Sequence, residues 1–314
     1  MTTVAFIGLG AMGRPMAQNL AQAGFALQTY DKNGSGTHKS PAAAAKGAEI
    51  LITMLPDGAT VREAVLEALP ALARGSVVVD MSSADPAGTR ALGQALQGSG
   101  IEMVDAPVSG AVVGAKNATL AIMVGGSVTA LARVLPALKA MGNQIFHVGP
   151  LGAGHAVKSL NNYIGAAGTL AAFEALLVAR AFGLDPKPML DAINASTGKN
   201  SSTERKIPRD ILTGTFASGF RLALMAKDVG IAAELARGLG LNTPFMKNTL
   251  KTWRDAEKKL PAGADHVEIY KYQERLAKAR AAKRRSSKAR RKASPSRGAA
   301  SRRSKTSRKR RRST

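Results

Sequence analysis

The chain of 314 residues contains no cysteine. It therefore forms no disulfide, offers no thiolate to a metal and has no cysteine nucleophile, which fits a reducing, cytoplasmic location. Histidine is also rare, and the four residues are His38, His147, His155 and His266. Their separations do not match those of metal-ligand motifs, so we expect no metal site.

Long apolar runs are a second absence. No uninterrupted apolar stretch reaches the ~18 residues that a membrane-spanning helix needs. The first residues, MTTVAFIGLG, include neither a basic segment nor a small-residue cleavage site, and they lead directly into an apolar strand. We therefore expect neither a membrane span nor a secretory signal in this sequence.

Acidic residues are missing from the last part of the chain. The formal net charge is +24, and residues 277–314 contain 18 of the 45 Lys and Arg but none of the 21 Asp and Glu, which leaves 27 basic and 21 acidic residues before them. Residues 278–314 are mainly Lys, Arg, Ser and Ala without apolar periodicity, which predicts disorder. The body of the protein has an ordinary charge balance, and the basicity belongs to this tail.

Short apolar runs alternate with helical patterns over residues 1–150. Such alternation predicts a doubly wound parallel sheet with helices on both faces. After residue 152 the pattern is helical, with a long helix at 155–182. We therefore predict a Rossmann-like domain at 1–152, a helical C-terminal domain at 153–277 and the basic tail at 278–314. The predicted strands are Val4–Gly8, Ala26–Tyr30, Ile50–Met54, Val77–Asp80, Ile101–Asp105, Leu120–Val124 and Gln144–Val148.

A glycine fingerprint follows the first predicted strand. The segment FIGLGAMG places Gly8, Gly10 and Gly13 in the spacing G-x-G-x-x-G, between a strand and a helix. Gly8 permits a tight turn, Gly10 lets a pyrophosphate approach the backbone, and Gly13 lets the helix pack on the strand. The N-terminus of that helix offers unpaired N–H groups to the phosphates. The fingerprint indicates a dinucleotide site.

The second predicted strand leads into Asp31, at the distance from the glycines that dinucleotide-binding units use for an acidic residue. A carboxylate there accepts hydrogen bonds from the adenine ribose hydroxyls and repels a 2′-phosphate. Lys32 and Lys39 lie nearby and oppose that repulsion. We expect NAD as the cofactor, with NADP less favoured.

Five further motifs follow in chain order: ITMLPDG, DMSSADP, DAPVSG, GAGHAVKSLNN and GFRLALMAKDVGIA. Together with the glycine fingerprint they resemble the β-hydroxyacid dehydrogenase family, which includes 3-hydroxyisobutyrate dehydrogenase and tartronate semialdehyde reductase. The resemblance spans residues 2–277 and leaves out the tail. It implies a homo-oligomeric oxidoreductase that interconverts a small β-hydroxy acid, 3-hydroxyisobutyrate-like or glycerate-like, and its semialdehyde.

The resemblance also implies a role for each motif. Lys158 is the implied general acid and base, because a lysine in a closed, partly apolar cleft has a lowered pKa. Asn162 lies one helical turn later and orients the reacting group. Ser109 and Gly110 are expected at the carboxyl end of the fifth predicted strand. The implied substrate-binding residues are Ser109, Gly110, Ala111, Asn162 and Lys227. The implied cofactor-binding residues are Gly8, Leu9, Gly10, Ala11, Met12, Gly13, Asp31, Leu55, Pro56, Ser83 and Lys227.

Two features depart from the family pattern. Ala111 stands where the family usually has a second glycine after the serine of VSG, and its methyl group narrows the predicted carboxylate cradle. Residues 32–39, KNGSGTHK, stand in place of a helix and a short strand, and so few residues cannot form a three-turn helix at a rise of about 1.5 Å per residue. We therefore expect a thin or mobile wall beside the adenine.

The tail supports a different class of function. It resembles the tails of linker histones and bacterial histone-like proteins, in which dense Lys and Arg neutralise phosphates and release counterions. It has no aromatic residue to stack on bases, so no sequence preference is expected. Non-specific binding of nucleic acid or another polyanion, with the dehydrogenase fold as a scaffold, is therefore the alternative function. An extended reading frame is a second explanation of the tail, and the presence of Lys158 favours an active enzyme.

Overall fold

The computed structural model describes residues 1–279, and residues 1–272 form one compact unit. The predicted basic tail lies almost entirely outside the described residues, so its disorder and its binding to polyanions stay predictions. The predicted domain boundaries at residues 152 and 277 also stay predictions.

A single sheet occupies the N-terminal half of the chain. All seven predicted strands are present, and each begins and ends within one residue of its predicted bounds. One further strand, of two residues, was not predicted, because two residues are too few to show an alternating pattern. The strands are β1 (Thr3–Ile7), β2 (Ala26–Tyr30), β3 (Ile50–Thr53), β4 (Val77–Asp80), β5 (Glu102–Asp105), β6 (Val108–Ser109), β7 (Ala121–Gly125) and β8 (Gln144–Gly149).

Helices follow most strands and fill the second half of the chain. Several begin at a side-chain cap: Asp57, Asp85 and Ser127 each accept a hydrogen bond from the N–H three residues later. Helical residues also occupy positions 269–279. The α-helices with defined bounds are α1 (Gly13–Gln22), α2 (Pro41–Ala45), α3 (Gly58–Ala68), α4 (Pro86–Gln97), α5 (Ala111–Lys116), α6 (Val128–Lys139), α7 (Ala153–Phe182), α8 (Pro186–Asn194), α9 (Leu222–Gly238) and α10 (Pro244–Lys259).

Strands β1 to β5 pair in parallel in the order β2-β1-β3-β4-β5. Successive residues of the central strands enter separate apolar clusters on the two faces: in β1, Val4 and Phe6 pack in one cluster, and Ala5 and Ile7 in the other. Residues of α1 and α6 complete the first cluster, and residues of α3 and α4 complete the second. Because both faces are covered, the central strands β1, β3 and β4 are mainly apolar. The predicted doubly wound sheet is confirmed.

Beyond β5 the strand pairing is no longer all parallel. Strand β7 runs antiparallel to β5 and β6, whereas β8 pairs with β7 in parallel. The short strand β6 places Ser109 opposite Ala121 of β7. Ser109 therefore lies at the end of an added antiparallel strand, four residues after β5 ends, and not at the carboxyl end of β5 itself as the sequence predicted.

The second half of the described chain is helical, as predicted, and α7 is its longest helix. Glycines in the left-handed region flank it, Gly152 with φ of 89° and Gly183 with φ of 95°. Helix α7 packs against α8, α9 and α10 as well as against β7. Phe173 of α7 and Trp253 of α10 are fully buried in a third apolar cluster.

Helix α7 also meets the length and composition of a membrane-spanning helix, and it is the one helix in residues 1–279 that does. Its most apolar window has a mean hydropathy of 1.4, and a third of that window is buried. The expectation of no span came from the absence of long uninterrupted apolar runs in the sequence. Helix α7 qualifies here because up to two charged residues are allowed among 18. Core helices of other proteins satisfy the same criterion, so α7 is weak evidence for a membrane span.

A π-helical segment, Ser202–Ile211, connects α8 to α9. The N–H of Leu212 donates to the carbonyl oxygen of Ile207, five residues back. Within this segment Lys206 donates from Nζ to Oγ1 of Thr169 on α7 at 2.8 Å. Burial lowers the pKa of Lys206 to about 8.

Candidate active site

The glycine loop between β1 and α1 is tightly packed at two of its three glycines. Gly8 has a φ of +99°, and a Cβ on it would lie 2.3 Å from the carbonyl oxygen of Met54. A Cβ on Gly13 would lie 1.9 Å from the carbonyl oxygen of Gly8. Any side chain at either position would push the loop apart.

Gly10 faces open space instead. A Cβ on Gly10 would meet no atom within 4 Å, so the loop itself does not require a glycine there. A cleft of about 560 Å³ opens beside Gly10 and Ala11, and Arg14 and Lys116 also line it. Helix α1 begins at this point without a side-chain cap; the N–H of Arg14 donates to the carbonyl oxygen of Gly10, and the N–H groups before it are those that could meet an anion. The loop therefore suits the pyrophosphate of a dinucleotide.

Asp31 stands beside the glycine loop, directly after β2. Its Oδ2 accepts the N–H of Leu9 at 2.7 Å, and its Oδ1 accepts the N–H of Asn33 at 2.8 Å. The carboxylate is thus fixed beside the glycine loop by two backbone N–H groups, and its predicted role at the ribose stays a prediction. The side chain of Leu9 is buried in the apolar core, so Leu9 can serve a cofactor through its backbone alone, whereas Met12 is partly buried against that core.

The shortened segment at 32–39 folds back on the sheet edge. The N–H of Thr29 donates to Oγ1 of Thr37, and the N–H of Thr37 donates to Oγ1 of Thr29, both at 2.9 Å. The N–H of His38 also donates to the carbonyl oxygen of Thr29. The sequence predicted a thin or mobile wall, and the segment is short but bonded to β2.

Lys158 and Asn162 lie one turn apart on α7, which packs against α9. Nδ2 of Asn162 donates to Oδ2 of Asp228 on α9 at 2.6 Å. Asp228 is buried, and its Oδ1 has no hydrogen-bond partner among the described residues but lies 3.4 Å from Nζ of Lys227. The amide of Asn162 and the ammonium group of Lys227 therefore both lie against one buried carboxylate.

The surroundings of Lys158 change its pKa. Burial lowers the pKa of the Lys158 ammonium below the usual lysine value, the negative charge of Asp228 raises it, and the positive charge of Lys227 lowers it. Burial is the largest of the three effects. A lowered pKa makes the neutral amine of Lys158 more accessible, which is the direction that suits a general acid and base.

Lys227 holds together the two loops that the sequence assigned to the cofactor. Its Nζ donates to the carbonyl oxygen of Ser83 at 2.8 Å and to that of Pro56 at 3.0 Å. The loops are also joined directly, because the N–H of Leu55 donates to Oγ of Ser82 at 2.9 Å. One ammonium group on α9 thus fixes the β3–α3 and β4–α4 connections.

Ser109, Gly110 and Ala111 lie where β6 meets α5. Gly110 has a φ of +137° and Ala111 a φ of +55°. The left-handed region costs a residue other than glycine about 1–2 kcal/mol, so the alanine that departs from the family pattern occupies a strained position. Within the described residues no hydrogen bond joins these three residues to Lys158 or Asn162.

Sequence reasoning missed three residues of this region. Asp228 directly follows Lys227, and its partner Asn162 lies 66 residues earlier, so only packing reveals the pair. Arg14 follows the third glycine, and Lys116 ends α5; both line the cleft beside Gly10. The sequence signal for Arg14 was its position, because it is a basic residue directly after the glycine fingerprint. Among residues 1–279, no group of three or more His, Asp or Glu is arranged to hold a metal ion.

Comparisons with known proteins agree with this geometry. Residues 3–149 match the NAD binding domain of 6-phosphogluconate dehydrogenase, and residues 152–273 match a domain described as NAD-binding of NADP-dependent 3-hydroxyisobutyrate dehydrogenase. The chain is 37% identical over 284 residues to 2-(hydroxymethyl)glutarate dehydrogenase of Eubacterium barkeri, covering 80% of this chain and 94% of that protein. It is 36% identical over 273 residues to NAD-dependent L-serine dehydrogenase of Pseudomonas aeruginosa, covering 81% and 92%.

One solved structure is similar to this chain over nearly the whole length of the solved protein. The 3-hydroxyisobutyrate dehydrogenase of Mycobacterium tuberculosis, solved with L-serine, has a TM-score of 0.82 and 32% identity to this chain, and the match covers 87% of this chain and 99% of that one. Family models thus match both halves of the sequence, and relatives above 30% identity match most of its length. The chain belongs to the β-hydroxyacid dehydrogenase family.

Proposed function

We propose that this protein is an NAD-dependent oxidoreductase that interconverts a small β-hydroxy acid and its semialdehyde. The substrate is 3-hydroxyisobutyrate-like or glycerate-like. The observation that supports this most directly is the connected group around Asp228: it bonds to Asn162, one turn from Lys158, and it pairs with Lys227, which holds both cofactor loops. The bonded group therefore connects both cofactor loops to Asn162, one helical turn from the proposed proton donor Lys158.

In this proposal Lys158 handles the proton. The nicotinamide, when bound, supplies the hydride for reduction and accepts it in oxidation. As a carbonyl is reduced, negative charge grows on its oxygen, and the Lys158 ammonium donates a proton to that oxygen. In oxidation the neutral amine takes the hydroxyl proton. Asn162 is oriented by its bond to Asp228, so it can hold the reacting group in line.

The remaining predicted residues take binding roles in the proposal. The Ser109 hydroxyl and the backbone N–H groups of Gly110 and Ala111 hold the substrate carboxylate. Lys227 carries three N–H donors; two of them serve the cofactor loops, and the third, on the side of Asp228, is the one that the proposal assigns to the cofactor or the substrate carboxylate. The cofactor itself lies along the glycine loop from Gly8 to Gly13 and past Leu55, Pro56 and Ser83, with Asp31 at its ribose.

Replacing Gly10 with alanine tests the cofactor position. A methyl group on Gly10 meets open space, so Gly10→Ala should fold with an unchanged melting temperature. It should nevertheless raise the KM for NADH roughly 10- to 100-fold, because overpacking at a close contact costs about 1–3 kcal/mol. Gly98→Ala is the matched control, since its Cβ also meets no atom within 4 Å and it lies at the end of α4. An unchanged KM in Gly10→Ala would place the pyrophosphate elsewhere.

Cofactor choice is tested at Asp31. The kcat/KM for NAD should exceed that for NADP, because the Asp31 carboxylate repels a 2′-phosphate. Asp31→Ser should shrink the ratio of the two values. The ratio is the right measure, because losing the bond from Leu9 to Asp31 perturbs the loop equally for both cofactors. Equal use of both cofactors by the unchanged protein would mean that Lys32 and Lys39 outweigh Asp31.

The activity is tested by NAD reduction with a panel of hydroxy acids. The panel contains 3-hydroxyisobutyrate, glycerate, L-serine and 2-(hydroxymethyl)glutarate, which share a hydroxymethyl group near a carboxylate. The proposal expects at least one to be oxidised by the unchanged protein and none at a comparable rate by Lys158→Ala. Absence of turnover on the whole panel with both NAD and NADP would contradict the proposed function.

Self-association is a further part of the proposal. One side of α7 carries apolar side chains that are exposed in the single chain, namely Val157, Leu160, Ile164, Val178 and Phe182. Exposed apolar patches of this kind mark interaction surfaces. A homo-oligomer that buries this face through a second copy of the chain remains a prediction.

A further inference from the structure

A buried histidine lies in the first turn of α7, three residues before Lys158. The side chain of His155 has no solvent exposure, and the proposed proton transfer gives it no role. Buried polar rings need hydrogen-bond partners, and those partners show which segments the ring connects.

The two ring nitrogens of His155 reach both sides of the cofactor loop after β4. Nε2 lies 3.1 Å from the carbonyl oxygen of Ser82, and Nδ1 lies 2.8 Å from Oγ1 of Thr89 on α4. Ser83, whose carbonyl oxygen accepts from Lys227, lies between these two contacts. The ring therefore spans the loop that the proposed function assigns to the cofactor.

The proton positions follow from the partners. A carbonyl oxygen only accepts, so Nε2 must donate to Ser82. At Nδ1 the hydroxyl of Thr89 can donate to the ring or to the carbonyl oxygen of Asp85, which lies 3.0 Å away. Oδ2 of Asp80 and Oδ2 of Asp105 each lie 3.7 Å from a ring nitrogen. The bond to Ser82 therefore requires a proton on Nε2 of the ring.

The backbone of His155 is anchored to the sheet as well. Its N–H donates to Oδ2 of Asp105, and the N–H of Gly152 donates to Oδ1, both at 2.7 Å. Gly152 gives α7 no side-chain cap of its own, so the carboxylate from β5 supplies the cap. The turn that leads to Lys158 is therefore fixed at its backbone by β5 and at its side chain by the cofactor loop.

We propose that His155 is a positioning residue for hydride transfer. Its ring locks the loop at Ser82 and helix α4 at Thr89 to the turn that carries Lys158, so the cofactor and the proton donor keep one relative position. The lock reaches the other cofactor loop too, because Oγ of Ser82 accepts the N–H of Leu55. The inference rests on the proposed function, and His155 itself touches neither substrate nor cofactor.

His155→Leu removes both hydrogen bonds of the imidazole ring and replaces it with a side chain of similar volume. We expect kcat to fall roughly 10- to 100-fold, because a displacement of about 1 Å between reacting groups can cost that much. The primary deuterium isotope effect on kcat, measured with NADH deuterated at the transferred position, should rise, since hydride transfer becomes the slow step. His155→Gln should recover kcat to within about fivefold, because its amide N–H can donate to Ser82 and its amide oxygen can accept from Thr89.

A second buried histidine provides the matched control. His266 is 4% exposed, and its Nδ1 lies 2.8 Å from Oγ of Ser218, among the helices and apart from the cofactor loops. His266→Leu makes the same chemical change. We expect both His155→Leu and His266→Leu to lower the melting temperature, but His266→Leu should leave kcat and the isotope effect within about twofold of the unchanged protein.

Amide hydrogen exchange gives a readout that needs no turnover. Residues 80–89 should exchange faster in His155→Leu and stay protected in His155→Gln and His266→Leu, because the lock on the loop is lost in the first variant alone. The proposal is overturned if His155→Leu keeps the kcat, isotope effect and protection of the unchanged protein, or if Leu and Gln at 155 lose kcat equally with an unchanged isotope effect. If the unchanged protein oxidises no hydroxy acid, the proposed function fails, and exchange alone then decides whether the lock exists.

Discussion

Lys158→Ala should lower kcat by roughly 10²- to 10⁴-fold and leave the Kd for NADH within about threefold. The reason is that the ammonium meets the developing charge on the carbonyl oxygen in the transition state, whereas the cofactor is held by other groups. Stopped-flow and steady-state rates with the best hydroxy acid of the panel measure kcat, and quenching of protein fluorescence measures NADH binding. Small primary amines added to the assay should restore part of the rate, because they can take the place of the missing side chain.

The control for this variant is a lysine of the same kind outside the site. Lys187 is exposed on α8 and pairs with Asp191 one turn later, so Lys187→Ala should keep kcat within about twofold. Unchanged turnover in Lys158→Ala would remove Lys158 from the chemistry. A loss of kcat together with a loss of NADH binding would assign Lys158 to cofactor binding.

Asp228→Asn should move the pH dependence of both reaction directions to lower pH. Oxidation needs neutral Lys158, so kcat/KM rises as pH increases through the pKa of that group, and reduction needs the ammonium, so its kcat/KM falls through the same pKa. The carboxylate of Asp228 raises the pKa of Lys158, and removing its charge lowers it. Asparagine can still accept the N–H of Asn162, so the geometry is retained. Profiles of kcat/KM against pH in both directions measure the shift.

A variant that shifts the pH profile in the opposite direction strengthens this measurement. The ammonium of Lys227 lowers the pKa of Lys158, so Lys227→Met should move the rise in kcat/KM for oxidation to higher pH. Lys206 is the necessary control, because a lysine with a pKa of about 8 could itself cause a change of kcat/KM in this pH range. The profile of Lys206→Met should match that of the unchanged protein. If the pH dependence of kcat/KM is unchanged in Asp228→Asn but shifts in Lys206→Met, the titrating group is not Lys158.

Much of the nucleotide-binding half could be predicted because its signals are local. Strands β1, β3 and β4 are mainly apolar, β2 and β5 are short segments with apolar residues among polar ones, and the ends of all five were found within one residue. The glycine fingerprint could be predicted for the same reason, since Gly8 and Gly13 are required by contacts within and next to the loop itself. The two-residue strand β6 and the antiparallel direction of β7 have no such local signal, because pairing direction depends on which strand lies alongside.

The sequence by itself determined the alternation of strands and helices, the dinucleotide loop, and Lys158 and Asn162 on one face of a long helix. Each of these follows from spacing along the chain, through periods of two and 3.6 residues or through the fixed geometry of a tight turn. The tertiary structure alone decided that Asp228 accepts from Asn162, that Lys227 holds Pro56 and Ser83, and that Asp105 caps α7. These partners lie 50 to 171 residues apart in sequence. Such contacts form only when packing of α9 and β5 against α7 brings the groups within hydrogen-bond distance, and buried polar groups must then find partners among whatever packing supplies.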